Sequence, residues 1–477
     1  MKILHVSSEM LPYAKTGGLG DVVGALPRYL SRRGHDVRAF IPLYDTMDTD
    51  AVDLDLVIPE LTFPMGHHQI RTRIFRDADN PTAYFVHCPG LYSRGSIYTG
   101  HDDEHRRFLA LNVAALTACQ YLGFAPDVIH CHDWQAAMLP LLLKVRFGWD
   151  RLFANTRTLL TIHNLNYQGG FSSAVVPDLH IGGSEHLLHQ ELLAQGRVNF
   201  LLHGILYADG VSTVSPTYAH EIQTPEFGAG MDSFLRQRSS TVVGVLNGVD
   251  YEEWTPAADP LIPFRYSADD LSGKERNKEA LLNAMGLPYV KGVPLIGVVS
   301  RMASQKGFHL VPGVLPGLLA RRDVQLVALG SGDPRIEDIF ASLQRYFPRQ
   351  VSYYRGFSNK LAHFIEAGAD IFMMPSVYEP CGLNQMYSLR YGTIPVVHRT
   401  GGLADTVQLV DPVNGTGTGF LFDHHTEEGL RWGLTTALKA YRTPGLWEKI
   451  VANAMAMDYS WEHQTLVYEE LYSRLVS

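Results

Sequence analysis

Short apolar runs alternate with longer amphipathic stretches along nearly the whole chain. Such runs are too brief for buried helices and read as strands. Strands separated by helices pair in parallel, in sheets covered on both faces, which makes this an α/β protein. In the first half the strands fall at 2–7, 36–41, 82–87, 127–131, 158–163 and 210–214. A helix is predicted over 103–121, where Leu109, Val113 and Leu116 share one face. The rhythm restarts with strands at 294–300, 324–329, 351–354, 370–374 and 394–397, and a helix over 358–367 turns Leu361, Phe364 and Ile365 inward. Between the halves, residues 248–292 carry proline and charge with little periodicity. The predicted division is a domain over 1–245 and a second over 246–457, with a boundary near 244–248. A chain of 477 residues, 46% of them hydrophobic, is long enough for two or three cores.

A net charge of −9 argues against a general nucleic-acid or membrane-surface binder, so any positive charge for an anionic ligand must be local. Cys88, Cys119, Cys131 and Cys381 show no CxxC spacing, which suits a reducing compartment. The N-terminus has one lysine and an apolar run broken by His5, too little for a signal peptide. No apolar stretch approaches the ~18 residues of a membrane span. The expectation is a soluble, cytoplasmic protein.

"KTGGLGDVVGALPRYL" (15–30) follows the first strand and opens a helix. In that layout the amides of Gly17 and Gly18, with Lys15 beside them, can meet an anion; the alternative is a connector without a ligand. The P-loop pattern fails because Lys15 precedes the glycines. The dinucleotide pattern fails because the spacing is Gly18, Gly20, Gly24, and Ile41 and Pro42 stand where a ribose-binding acid would end the next strand. "LGSGDP" (329–334) fails likewise, so a nicotinamide dehydrogenase is disfavoured. "KTGGLGDVV" (15–23) returns as "RTGGLADTV" (399–407), placing Gly401, Gly402 and Leu403 in register with Gly17, Gly18 and Leu19. The repeat predicts one glycine loop per domain, both serving one ligand in a cleft.

"VVSRMASQKGFHLV" (298–311) sets Arg301 and Lys306 after a strand, at the sheet edge where ligands sit in open parallel sheets. Each cation near a diphosphate is worth roughly 4 kcal/mol at 4 Å and an effective dielectric near 20, before desolvation; the alternative is a solvated surface pair. In "PSVYEPCGLNQMYSLRYG" (375–392), Glu379 precedes Pro380, Cys381 and Gly382, which are read as the start of a helix. A carboxylate there can accept from ligand hydroxyls or cap the helix. "HCHDWQAAMLP" (130–140) invites a metal reading, but His130, Cys131 and His132 alternate faces on a strand and do not converge without a bulge. No metal or other cofactor is expected. Asp133 better suits an N-cap or a sugar contact. His163, in "TLLTIHNLNYQGGF" (158–171), ends another strand in a polar loop, and no GxSxG elbow supports a serine triad.

Taken together in this order, "KTGGLGDV", "HCHDWQA", "TIHNLNYQG", "VSPTYAHEI", "NGVD", "SRMASQKG", "LGSGDP", "PSVYEPCGLNQMYSLRYGTIPVV", "RTGGLADTV" and "DYSWE" resemble the bacterial glycogen synthase and plant starch synthase family over the whole chain. The resemblance implies two Rossmann-like domains facing a deep cleft (the GT-B fold), and a last helix near 460–475, in a segment 458–477 that crosses back to the N-terminal domain. It implies transfer of glucose from ADP-glucose to the 4-OH of an α-1,4-glucan (glycogen or a malto-oligosaccharide), with retention. It further implies that Lys15, Gly17 and Gly18 lie by the diphosphate, and that Arg301 and Lys306 bind it with help from Gly401, Gly402 and Leu403. Cys381 and Gly382 join Glu379 on the donor side, where Glu379 holds a glucose hydroxyl. His163 sits at the reacting sugar, its carbonyl near the anomeric carbon, and Asp133 lines the acceptor side. The E-x7-E motif of the wider retaining superfamily would need an acid at position 387, which here is Tyr387. The rivals are a GT-B transferase using a UDP-sugar with a small acceptor, and a catalytically silent glucan-binding protein.

Overall fold

The computed structural model describes residues 1–321 and 324–477. The chain divides into two compact units, Met1–Leu246 with Trp461–Ser477, and Asn247–Ser460. Each is a sheet layered with helices, all parallel in the second unit and parallel but for an antiparallel edge in the first.

The N-terminal unit is built on β1 (Lys2–Val6), β2 (Asp36–Pro42), β3 (Leu54–Met65), β4 (His68–Asp77), β5 (Ala83–His87), β6 (Val128–His132) and β7 (Arg157–Ile162). A small ribbon, β8 (Gly170–Ser172) with β9 (Arg197–Asn199), precedes β10 (Gly210–Thr213) and β11 (Val242–Gly244). The main sheet runs β11-β10-β7-β6-β1-β2-β5-β4-β3. Its central strands are parallel and buried on both faces, which is why they read as continuous apolar runs. The β3–β4 hairpin was not predicted. It is antiparallel and its residues alternate between buried and exposed, so its apolar content per residue is diluted. The helix after the glycine loop, Gly18–Arg32, buries Val22, Leu26, Tyr29 and Leu30. The last helix, Trp461–Val476, buries Trp461, Tyr468 and Tyr472 in the same core as Ile3, Val22, Leu26 and Val128. The helix predicted at 103–121 spans Glu104–Leu122 and ends on Gly123 at φ +57°, a left-handed stop that favours glycine.

The C-terminal unit carries β12 (Leu295–Val299), β13 (Gln325–Gly330), β14 (Val351–Arg355), β15 (Ile371–Met374), β16 (Ile394–His398) and β17 (Phe420–Phe422). Their order is β14-β13-β12-β15-β16-β17, all parallel. Leu361, Phe364 and Ile365 pack inward as predicted, against Leu281, Phe372 and Met374. Residues 248–292 are less irregular than expected, since Ser272–Ala284 is a helix. Its charges hide the period, because Lys278 is buried against Asp370 at 2.8 Å. Among the described residues no helix is long and apolar enough to cross a membrane.

Candidate active site

In the C-terminal unit, the loop after β12 and the loop after β15 are sealed together. Val377 N donates to Gln305 O (2.8 Å), and Gln305 Nε2 donates to Tyr378 O (3.1 Å). Gly307 sits between them at φ +70°, where a Cβ would collide with the Pro375 carbonyl oxygen. Only glycine allows that approach. The seal brings Lys306 Nζ to 2.6 Å from Glu379 Oε2, and Ser376 Oγ donates to the same oxygen at 3.0 Å. Glu379 is 6% exposed. Arg301 is exposed, and among the described residues its guanidinium enters no ion pair.

Glu379 is neither in nor capping a helix: residues 380–383 form a turn, and the helix starts at Asn384. The "RTGGLAD" loop packs directly on that turn. Gly402 N donates to Glu379 O (3.0 Å) and Pro380 O (3.2 Å), and Leu403 N donates to Thr400 O (3.1 Å). Gly401 takes φ +43°, and a Cβ there would strike the Glu379 carbonyl oxygen. The amides of Gly402 and Leu403 are thus used inside the unit, and these residues hold the carboxylate-bearing turn from behind. Cys381 and Leu403 are buried, and burial pushes the Cys381 thiol up to about 12. Gly382 sits at φ +73° against Gln385. Tyr387, where an acid would complete E-x7-E, stacks on Trp254 (3.8 Å, 2°), which stacks in turn on His363 (3.7 Å, 17°).

In the N-terminal unit, Lys15 is exposed and paired with Asp21 at 2.6 Å. Gly17 has an extended backbone at φ −152°, and a Cβ there would meet nothing within 4 Å. Neither strain nor packing inside the unit requires glycine at that position. Gly18 opens the helix and is exposed. Glu9, which sequence reasoning missed, caps this loop. Its carboxylate accepts from Thr16 N (2.6 Å), Gly17 N (3.1 Å), Thr16 Oγ1 (2.7 Å) and Tyr98 Oη (2.6 Å). Nothing in the sequence marked it, since its burial comes only with the fold.

Asp133 follows β6 at φ +53°, unusual for a residue with a Cβ. It caps no helix; its Oδ1 accepts from His163 N (2.6 Å) and Asn164 N (3.4 Å), pinning the loop after β7. Burial raises its carboxyl to about 7. His163 is 8% exposed, and burial lowers its imidazole to about 3.

The alternation argument against a metal is corrected in part. Residues two apart on a strand share a face, so His130 and His132 lie together while Cys131 points away, and β1 adds His5, opposite His130 in register. The ligand nitrogens of His5, His130 and His132 fall within 4.8 Å of one another. All but His5 Nε2 already have partners: His5 Nδ1 with His132 Nε2 (3.0 Å), His132 Nδ1 with His163 Nε2 (3.0 Å), and His130 with Tyr472 Oη (2.8 Å) and Thr161 Oγ1 (2.5 Å). A metal would have to break these bonds, so the cluster is a hydrogen-bonded chain rather than an open ligand set.

Two α/β units, each with polar loops at the ends of its parallel strands, have the make-up of the GT-B fold, and comparison with known proteins identifies a glycosyltransferase of that fold. The family model for the starch synthase catalytic domain matches residues 2–237, and that for glycosyl transferases group 1 matches residues 287–454. Glycogen synthase of Streptococcus agalactiae serotype III is 42% identical over 477 residues, covering all of both chains. That of Streptococcus pneumoniae strain CGSP14 is 41% identical over 479 residues, again covering both chains fully. The catalytic domain of starch synthase IV from Arabidopsis thaliana, solved bound to ADP and acarbose, superposes with TM-score 0.92 at 35% identity, covering 100% of this chain and 99% of that one. Sucrose-phosphate synthase from Thermosynechococcus elongatus shares the fold, at TM-score 0.63 and 18% identity over 99% of this chain and 98% of that one. The chain belongs to the glycogen synthase and starch synthase family.

Proposed function

We propose that this protein transfers glucose from ADP-glucose to the 4-OH at the non-reducing end of an α-1,4-glucan, with retention of configuration. The observation that carries the reading is the sealed loop pair that fixes a lysine beside a buried glutamate, with an exposed arginine on the same loop. As the bond from the anomeric carbon to the phosphate oxygen breaks, negative charge grows on the diphosphate. Lys306, held in place by Glu379, and the exposed Arg301 on the same loop supply positive charge for it. Lys15 offers the same service from the N-terminal unit, whereas the Gly17 amide is already held by Glu9.

Glu379 accepts from a glucose hydroxyl, held in place by Ser376 and by Gly401 and Gly402 behind it. His163 meets the reacting sugar, and Asp133 pins its loop while lining the acceptor side. Tyr387 has no carboxylate and is packed in a ring stack, so it does not serve as a second acid. With no nucleophilic carboxylate assigned, the acceptor oxygen attacks from the face the phosphate leaves. The new bond forms at the anomeric carbon, and the acceptor's proton passes to the departing phosphate oxygen.

Four unpaired, buried cysteines fit a reducing, cytoplasmic setting. The decisive assay measures nucleoside diphosphate release on glycogen primer with ADP-glucose and with UDP-glucose. Faster turnover of UDP-glucose, or release without chain elongation, would overturn the reading.

A further inference from the structure

Three buried imidazoles stand in line from β1 to the loop after β7, and the proposed reaction uses only the last. His5 Nδ1 meets His132 Nε2 at 3.0 Å, and His132 Nδ1 meets His163 Nε2 at 3.0 Å. The two ends, His5 Nε2 and His163 Nδ1, are buried without a partner. His130 is outside the line but its ring lies tilted against His132 with centroids 4.1 Å apart, and its own nitrogens are held by Tyr472 and Thr161.

Each link needs one proton, since two lone pairs or two N–H groups facing each other repel. A neutral imidazole carries one proton on one nitrogen. Burial keeps these rings neutral, well below the usual imidazole range. Proton counting then leaves two arrangements. If His163 donates from Nε2, then His132 must donate from Nε2 to His5, and His5 carries its proton at Nε2. If His5 donates from Nδ1, all three rings are protonated at Nδ1. A mixed set leaves one link with no proton or with two.

We propose that His132 and His5 are positioning residues that set the tautomer of His163, the three rings sharing one tautomer and changing it together. The reading of His163 as facing the sugar is taken from the proposed function; the coupling of the rings is not. In one arrangement His163 Nδ1 is a bare acceptor, and in the other it is a donor. A buried N–H without a partner is costly, so the favoured form is the one whose end proton meets an acceptor. The change is a relay with water: a proton enters at His163 Nδ1, each link passes its own proton one ring along, and His5 Nε2 releases one to water on transient opening. A ligand oxygen accepting at His163 therefore draws the whole line into the Nδ1-protonated form, and His5, two links away, reports the change.

Nitrogen-15 imidazole spectra of the full chain near neutral pH, without substrate, test the coupling. The expected result is three neutral rings of one tautomer; mixed tautomers or a charged ring would overturn it. Turnover tests its use. His5→Leu fills the space without a polar atom at the Nδ1 position, whereas His5→Asn keeps one. With ADP-glucose and glycogen, His5→Leu is expected to lose at least ~10-fold in kcat with ADP affinity unchanged, and His5→Asn to stay within ~3-fold of the parent. Equal losses in both variants, or a loss in melting temperature alone, would overturn the positioning role. Shared tautomers together with full turnover in His5→Leu would remove His163 from the reacting sugar while leaving the coupling intact, so the two readings fail separately. Should His5→Leu not fold, the spectra of the parent chain still decide the coupling.

Discussion

Lys306 and Glu379 form one ion pair, Nζ to Oε2 at 2.6 Å, with side chains 17% and 8% exposed. The group proposed for the leaving phosphate and the group proposed for the sugar are therefore placed by each other. Removing the lysine leaves a largely buried carboxylate without its cation, which is costly in a way that losing an exposed charge is not.

Arg301→Ala and Lys306→Ala are each expected to lose of order 2–4 kcal/mol of transition-state stabilisation, or roughly 30- to 1,000-fold in kcat/KM. Only Lys306→Ala should also lower the melting temperature, because only Lys306 is paired inside the unit. Steady-state kinetics and a thermal melt on both variants check this. Near-normal turnover in either would mean the phosphate lies elsewhere.

Glu379→Gln keeps size and one acceptor but removes the charge. If the contact strengthens as the ring flattens towards an oxocarbenium ion, kcat falls by at least ~100-fold while ADP affinity changes little, since ADP has no glucose. A destabilised but fully active variant would reduce Glu379 to a structural role.

The two related glycine loops should respond differently to alanine. Gly401→Ala meets both a left-handed backbone and the Glu379 carbonyl, so it should destabilise the C-terminal unit and displace the carboxylate. Gly17→Ala finds an extended backbone and open space, so stability should hold while KM for ADP-glucose rises if a ligand packs over that Cα. Unchanged kinetics in Gly17→Ala would argue for a connector.

Acid should destabilise the fold. Burial lowers His5 and His163 from 6.5 to about 3, and His130 and His132 well below 6.5. The unfolded chain takes up protons below about pH 6.5 that the folded one refuses, so stability present above that pH is lost as pH falls. At pH 5, His5 and His163 each account for about 2 kcal/mol of loss. Asp133, raised from 3.8 to about 7, acts oppositely, adding stability as pH falls from 7 towards 4. Glu366, raised from 4.5 to about 8, and Asp21, also raised, act with Asp133, but burial lowers His87, His203, His398 and His425 as well. Eight histidines against three acids leave a net loss, visible as a lower urea midpoint at pH 5 than at pH 7.5. An equal or higher midpoint at pH 5 would contradict the neutral cluster.

Activity should survive a chelator, since lysine and arginine already supply the positive charge and the histidine nitrogens are bonded to one another. Inactivation by chelator with recovery on adding metal would reverse that expectation.

The strands and the candidate loops were legible because buried parallel strands are apolar throughout, and a ligand edge collects glycine and charge at their ends. What the sequence hid was partnership across strands. His5 looked like an interruption of an apolar run, and only the pairing of β1 with β6 sets it beside His130. The repeated glycines suggested one purpose, yet Gly401 serves close backbone approach while Gly17 borders open space. Glu9 was silent because its role depends on loop closure by Tyr98, distant in sequence.

Trp461, Tyr468 and Tyr472 complete a core begun by Ile3 and Val22, with all of Asn247–Ser460 lying between them in sequence. On the ribosome, domains usually fold in order of emergence. Here the first unit to emerge is the last able to close its interior, and its nascent core must wait, part of it still open to water, while the second unit is synthesised.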